Sequence, residues 1–281
     1  MPARIPTIDL GPLRGTDGER RALADELTAV YHDIGFAVLV NHGLPAGYLD
    51  NVFAMMAEFF ALPDDVIAGQ QALTLDWFNR LGTLADEILS LFALGLGLDA
   101  DHFCTAFDKN SMSLTKFINY PPTPEGSAGV NAHHDTGFIT LLAAGPTPGL
   151  QVLDPAGDWI DVPVVPDSFV LNIGEMLQAM TGNYLVATAH RVITSEPRMS
   201  SAYFHGPSLD TALDPIRLDQ RFVDAVEASE RHRAAGFMAT KEQTDAGVGD
   251  MGSASHTDTY GDQLWNYFAR SYPDMMQRHY G

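Results

Sequence analysis

The spacing of apolar residues changes character twice along the chain. "IPTIDL" (5–10) suggests a short strand. "DGERRALADELTAVYHDIG" then repeats apolar residues at helical spacing and stops at Gly35. "FAVLVNHGL" reads as a buried strand and turn, residues 46–61 as a helix ending in "FFALP", and about 74–97 as a second amphipathic helix. From Leu114 the runs shorten. "LTKFINY", "GFITLLAAG", "GLQVLD", "WIDVPV", "SFVLNIG", "VATAHRVI" and "MSSAYFHG" alternate with Gly, Pro and Asp turns, the pattern of an all-β sandwich or barrel. After Pro207 helical spacing returns in "DQRFVDAVEASERHRAAGFM" and "YGDQLWNYFARSYPDMMQRHY", separated by the loop-like "TDAGVGDMGSASHTDTYG". No internal repeat interrupts this order.

Composition narrows the function classes. The 281 residues carry a net charge of −20, which repels phosphate backbones and anionic lipid, so nucleic acid and membrane surfaces are poor partners. One cysteine, Cys104, excludes an internal disulfide and any multi-cysteine metal site. The N-terminus has no apolar signal core and no run reaches membrane-spanning length, so the expected location is the cytoplasm.

The chemistry concentrates in "NAHHDTGFITLL" (131–142). If extended backbone reaches from the strand at 138–142 back to residue 133, His133 and Asp135 face one way and His134 the other. An imidazole beside a carboxylate is half a metal site, although an isolated H-x-D pair also reads as an exposed polar strand end. His190, in "ATAHRVI", supplies a third candidate ligand. Two histidines and a carboxylate on neighbouring strands hold one side of a metal and leave the other open, as non-haem Fe(II) oxygenases require. Arg198 and Ser200, two apart on one strand face, fit a carboxylate through the planar guanidinium fork and one hydroxyl.

Together, "AHHDTGFITLL", "GLQVLD", "FVLNIGEMLQAMTGN", "ATAHRVI" and "RMSSAYF", with "IPTIDL", "GFAVLVNHGL", "FFALP" and "NYPP" upstream, resemble the isopenicillin-N-synthase-like family of iron(II)/2-oxoglutarate-dependent dioxygenases. The resemblance implies an α+β chain with a double-stranded β-helix (jelly-roll) core over 111–208. An N-terminal helical and strand region (1–110) precedes this core and a C-terminal helical extension (209–281) follows it. It implies Fe(II) on His133, Asp135 and His190, with the distal carboxylate of 2-oxoglutarate on Arg198 and Ser200. Tyr120, with Asn119 as the neighbour one register away, contacts the co-substrate. The implied reaction uses O2 and 2-oxoglutarate to hydroxylate, desaturate or cyclise a small organic substrate. Alternatives are ethylene and succinate formation from 2-oxoglutarate, a non-catalytic jelly-roll metal- or ligand-binding protein, and a zinc hydrolase.

His134 falls on the variable position of H-x-D and is not expected to ligate. His42, in "NHGL", is expected to pack or cap, and His205 to line the pocket mouth; Phe138 and Leu153 are expected to pack the core. One departure stands out: the segment after "FFALP", around 64–76, is shorter than in relatives. Part of the usual substrate cover is thereby reduced.

Overall fold

The computed structural model describes residues 4–62, 71–107, 111–124, 127–212, 214–235, 259–271 and 273–280. The shortened segment around 64–76 falls largely outside them, as does most of the loop at 244–261.

Among the described residues, ten strands form two sheets. Strands β1 (Thr7–Asp9), β2 (Phe36–Val40), β3 (Leu114–Tyr120), β5 (Ile139–Ala143), β8 (Phe169–Ile173) and β10 (Arg198–His205) build one of six, in the order β1-β2-β8-β5-β10-β3. Strands β4 (Ala128–His133), β6 (Leu150–Leu153), β7 (Trp159–Asp161) and β9 (His190–Ile193) build one of four, in the order β4-β9-β6-β7. All pairings are antiparallel except β1 with β2. This is the expected jelly-roll core, as two facing sheets rather than a closed barrel. The N-terminal region supplies two of its strands.

Strand parity divides the large sheet into two faces. Phe36, Val38, Val170 and Tyr120 point inward, packing with Leu150, Val152 and Val192 of the small sheet. Ala37, Leu39, Leu141, Phe169, Leu171 and Tyr203 point outward against helices. Helix α1 (Asp17–Asp33) begins in a capping box: Thr16 Oγ1 accepts the Glu19 N–H, and the Glu19 carboxylate accepts the Thr16 N–H. Helices α2 (Tyr48–Phe60) and α3 (Gln71–Gly95) bury Val52, Met56, Trp77, Leu81, Ile88 and Phe92 in this outer layer. A Cβ at Gly95 would lie 1.9 Å from Thr28 Oγ1, so only glycine lets α3 approach α1 there.

Two local readings change. Residues 133–142 are not one extended segment: His133 closes β4, Asp135 lies in the following loop, and β5 starts at Ile139. A short helix, α4 (Glu175–Met180), follows β8 and was not expected. After β10 come α5 (Gln220–Ala228), α6 (Glu230–Ala234), α7 (Tyr260–Ser271) and α8 (Pro273–Tyr280).

Candidate active site

His133 and His190 are register partners across β4 and β9, which brings their rings to 4.3 Å between centroids. Each ring directs Nδ1 at a backbone carbonyl, His133 to Asn131 O at 2.8 Å and His190 to Thr188 O at 3.1 Å. A carbonyl only accepts, so Nδ1 carries the proton and Nε2 presents a lone pair. Those two Nε2 atoms stand 3.7 and 3.8 Å from Asp135 Oδ1. The other carboxylate oxygen, Oδ2, accepts from Thr140 Oγ1 at 2.5 Å and Asn172 Nδ2 at 2.7 Å. Three ligand atoms therefore converge within 4.8 Å of one another, each oriented by a partner behind it.

The loop that carries Asp135 is clamped by backbone. The Glu175 N–H donates to Asp135 O and the Gly174 N–H to Phe138 O, both at 2.8 Å. A Cβ on residue 174 would sit 2.1 Å from Gly137 O, so this approach requires glycine.

Electrostatics agree with a metal-ready state. Burial pushes the Asp135 carboxyl up, but facing His190 and His133, with hydrogen bonds from Thr140 and Asn172, hold it below the usual carboxylate range. Burial, then His133, lowers His190 to about 4, so the ring is neutral at pH 7. The neutral His190 ring, the His133 Nε2 and the Asp135 carboxylate match the two-histidine, one-carboxylate facial triad of non-haem iron. The closed four-ligand zinc alternative lacks a fourth histidine, cysteine or acid in this group among the described residues.

Arg198 is the second feature. It is 2% exposed, and none of its three guanidinium nitrogens has a hydrogen-bond partner. Its Cζ lies 5.0 Å over the Tyr120 ring, the residue paired with it across β3 and β10. Fully buried Ser200 directs Oγ to Tyr120 OH at 3.4 Å on the same face. Burial lowers the Arg198 pKa, with Tyr120 opposing. A buried, unpaired guanidinium is costly, and a carboxylate ligand relieves that cost.

The remaining candidates separate by parity. Asn119 pairs with Met199, is exposed and points away from the face of Tyr120 and Arg198, which removes it from the co-substrate contacts. His205 also faces outward: it stacks on Phe107 at 4.0 Å and meets Asp86 Oδ1 at 3.1 Å, and it does not line the mouth. His134 points away from the triad, with Nδ1 3.5 Å from Glu175 Oε1. His42 is buried against Phe169 and accepts the Leu44 N–H, a packing and capping role. Phe138 is fully buried between Phe103 and Phe107. Thr140 and Asn172 went unread; their only signal is a polar residue interrupting each apolar run.

A cleft of about 500 Å³ opens beside the triad, lined by His133, Asp135, Lys116, Val130 and Phe204. Helix α7 walls it with Tyr260, Leu264 and Phe268, one turn apart. A smaller cavity, about 250 Å³ and lined by His134, Glu175 and Arg231, touches none of the three ligands.

Comparison with known proteins points the same way. Residues 109–207 match the 2OG-Fe(II) oxygenase superfamily, and residues 5–67 match the N-terminal region of non-haem dioxygenases in morphine synthesis. A 1-aminocyclopropane-1-carboxylate oxidase 3 of Arabidopsis thaliana is 30% identical over 76% of this chain and 82% of its own length. A mugineic-acid 3-dioxygenase of Hordeum vulgare is 30% identical over 75% of this chain and 76% of its own. In fold, the chain is similar to Neurospora crassa T7H, solved with alpha-KG and 5-formyluracil. That match has a TM-score of 0.72 and 23% identity, over 82% of this chain and 90% of T7H.

Proposed function

The chain belongs to the 2OG-Fe(II) oxygenase superfamily, and we propose that His133, Asp135 and His190 hold its Fe(II) while Arg198, Ser200 and Tyr120 anchor 2-oxoglutarate. The single observation that carries this reading is the buried Arg198, unpartnered on the inner face of the sheet that also presents Thr140 and Asn172 to Asp135.

With its co-substrate bound, the iron supplies O2 activation and oxidation of a C–H bond in a small organic substrate, coupled to decarboxylation of 2-oxoglutarate to succinate. The protein's own part is positional. Asn131 and Thr188 carbonyls fix the two imidazoles, Thr140 and Asn172 leave one Asp135 oxygen for the metal, and the Arg198 fork sets the direction of a dicarboxylate. The apolar walls of the cleft, with α7 on one side, hold the substrate out of water.

Residues 111–208 form the catalytic core in this reading, flanked by 1–110 and 209–281. The net charge of −20 supports small-molecule rather than nucleic-acid or membrane-surface partners. The lone cysteine supports a cytoplasmic setting, and no helix among the described residues is long and apolar enough to cross a membrane.

Anaerobic absorption spectroscopy tests the assignment. Fe(II) followed by 2-oxoglutarate is expected to give a weak visible metal-to-ligand charge-transfer band in the wild type. The band is expected to be absent in Asp135→Ala and weakened in Arg198→Ala. Iron binding without a band in the wild type would sink the 2-oxoglutarate assignment.

A further inference from the structure

Helix α6 docks on the end of α1 through a stack of rings. His232 is buried, and its ring lies on that of His32 with 4.0 Å between centroids and 22° between planes. His32 stacks in turn on Tyr184 at 4.3 Å. His232 Nε2 donates to His32 O at 2.9 Å, and a carbonyl only accepts, so Nε2 carries the proton. Nδ1 then accepts from Ser229 Oγ at 2.6 Å. His32 Nδ1 donates to Tyr184 O at 2.8 Å. Beside the stack Arg231 donates to Asp33 O and to Thr188 Oγ1, and Asn183 Nδ2 donates to Ala235 O.

These bonds suit a neutral His232. A proton on Nδ1 would set an imidazolium against His32 and beside Arg231, with Arg233 on the same helix. Asp33 is the acid facing His232, and Asp154 faces Arg231. Around Tyr184, Arg221 and the same Asp33 oppose each other. Burial lowers the His232 pKa; His32 and Arg231 lower it further, against the hydrogen bond to the His32 carbonyl and the charge of Asp33. Packing alone would be met by an aromatic ring with no proton to gain.

The same helix bears on the site. Arg231, Ala234 and the adjoining Ala235 form one wall of the 250 Å³ cavity. Its other walls include His134 and Ala189, the chain neighbours of Asp135 and His190. Through Thr188, α6 also reaches the residue whose carbonyl accepts from His190 Nδ1.

We propose that His232, stacked on His32, is an acid-released latch: its protonation undocks α6 from α1 and removes one wall of the cavity behind the triad. The direction follows from linkage. Undocked, His232 titrates near 6.5, above its docked value, so docking is full above that pH and weakens as pH falls below it.

Hydrogen exchange of the full chain with Mn(II) present tests the latch, read by mass spectrometry on peptides covering 229–235 and corrected for the intrinsic effect of pH on exchange. In the wild type, protection there is expected to fall about fivefold from pH 7.5 to pH 5.5. His232→Gln gains no proton in this range, so its protection should not fall, whatever its absolute level. Constant protection in the wild type overturns the proposal. So does an equal fall in His232→Gln, which would assign the acid response to another group or to unfolding of the whole chain.

Discussion

Arg198→Met reverses sign with the co-substrate, and the reversal can be worked from the structure. Without a ligand, the wild type holds a 2% exposed guanidinium with three unpartnered nitrogens. Leaving a buried donor group unsatisfied costs about 1–3 kcal/mol. Methionine fills similar volume without a charge. Its gain is offset by loss of the contact over the Tyr120 ring, about 1 kcal/mol. The net is roughly 1 kcal/mol in favour of the variant. Unfolding entropy for a chain of this size is about 0.6 kcal/mol per kelvin, so Arg198→Met should melt about 2 °C above the wild type.

Adding 2-oxoglutarate should invert the order. At a hundredfold excess over Kd the wild type gains about 2.7 kcal/mol. Removing one partner of a buried, hydrogen-bonded charge pair costs about 2–5 kcal/mol, so the variant binds at least about thirtyfold more weakly and gains at most about 0.9 kcal/mol. Thermal unfolding with Mn(II) in both arms, with and without 2-oxoglutarate, reads the crossing. A variant less stable than the wild type without 2-oxoglutarate, yet shifted equally by adding it, would refute the reasoning.

Three further outcomes are expected. Thr140→Val and Asn172→Leu should each weaken metal binding about tenfold to a hundredfold in chelator competition, because each releases Asp135 Oδ2; an unchanged affinity would show that the loop alone orients the carboxylate. Gly174→Ala should cost about 2 kcal/mol or more and also lower metal affinity, since its Cβ would meet Gly137 O at 2.1 Å; denaturant melts and a metal titration check both effects. His190 and His134 are each lowered to about 4, mainly by burial and then by neighbouring histidines, whereas the unfolded chain titrates near 6.5. Between those values the unfolded state binds more protons, so metal-free stability is full above pH 6.5 and falls as pH drops towards 4. Urea melts should show a loss of about 2 kcal/mol per histidine between pH 7 and pH 5, and a flat profile would contradict it.

Much of this site was legible because its chemistry depends on local spacing. The members of the H-x-D pair and of the R-x-S pair stand two residues apart, and the structure brings His190 Nε2 to 3.8 Å from Asp135 Oδ1. Nonlocal pairing hid the rest. β4 has small and polar residues in place of an apolar alternation, and its register with β9 breaks between Ala128 and Val130 and again before His133. Nothing in that segment announces a strand, and the extended run from 133 to 142 was the natural but mistaken substitute. Thr140 and Asn172 face each other across β5 and β8, so their convergence on Asp135 appears only once that register is set. Asn119 and His205 lie on the outward face of their strands, and a single residue of parity is enough to move a strand residue to the opposite face.

That parity also explains how one strand serves both stability and chemistry. The outward residues of β10 lock it to α3: Trp77 Nε1 donates to Ser201 Oγ at 3.0 Å, and Phe78 packs edge-on against Tyr203. Two inward residues of the same strand are Arg198, buried with no hydrogen-bond partner on its guanidinium, and Ser200, buried with its Oγ directed to Tyr120 OH. A guanidinium left so poorly satisfied persists only where the surrounding fold over-determines its place. Here α3 and β3 supply that constraint from the two sides of the strand. The helix layer therefore does more than cover the sheet. It holds a costly charge in position, so that in the proposed role an anion would meet a fork already oriented rather than one it must order on binding.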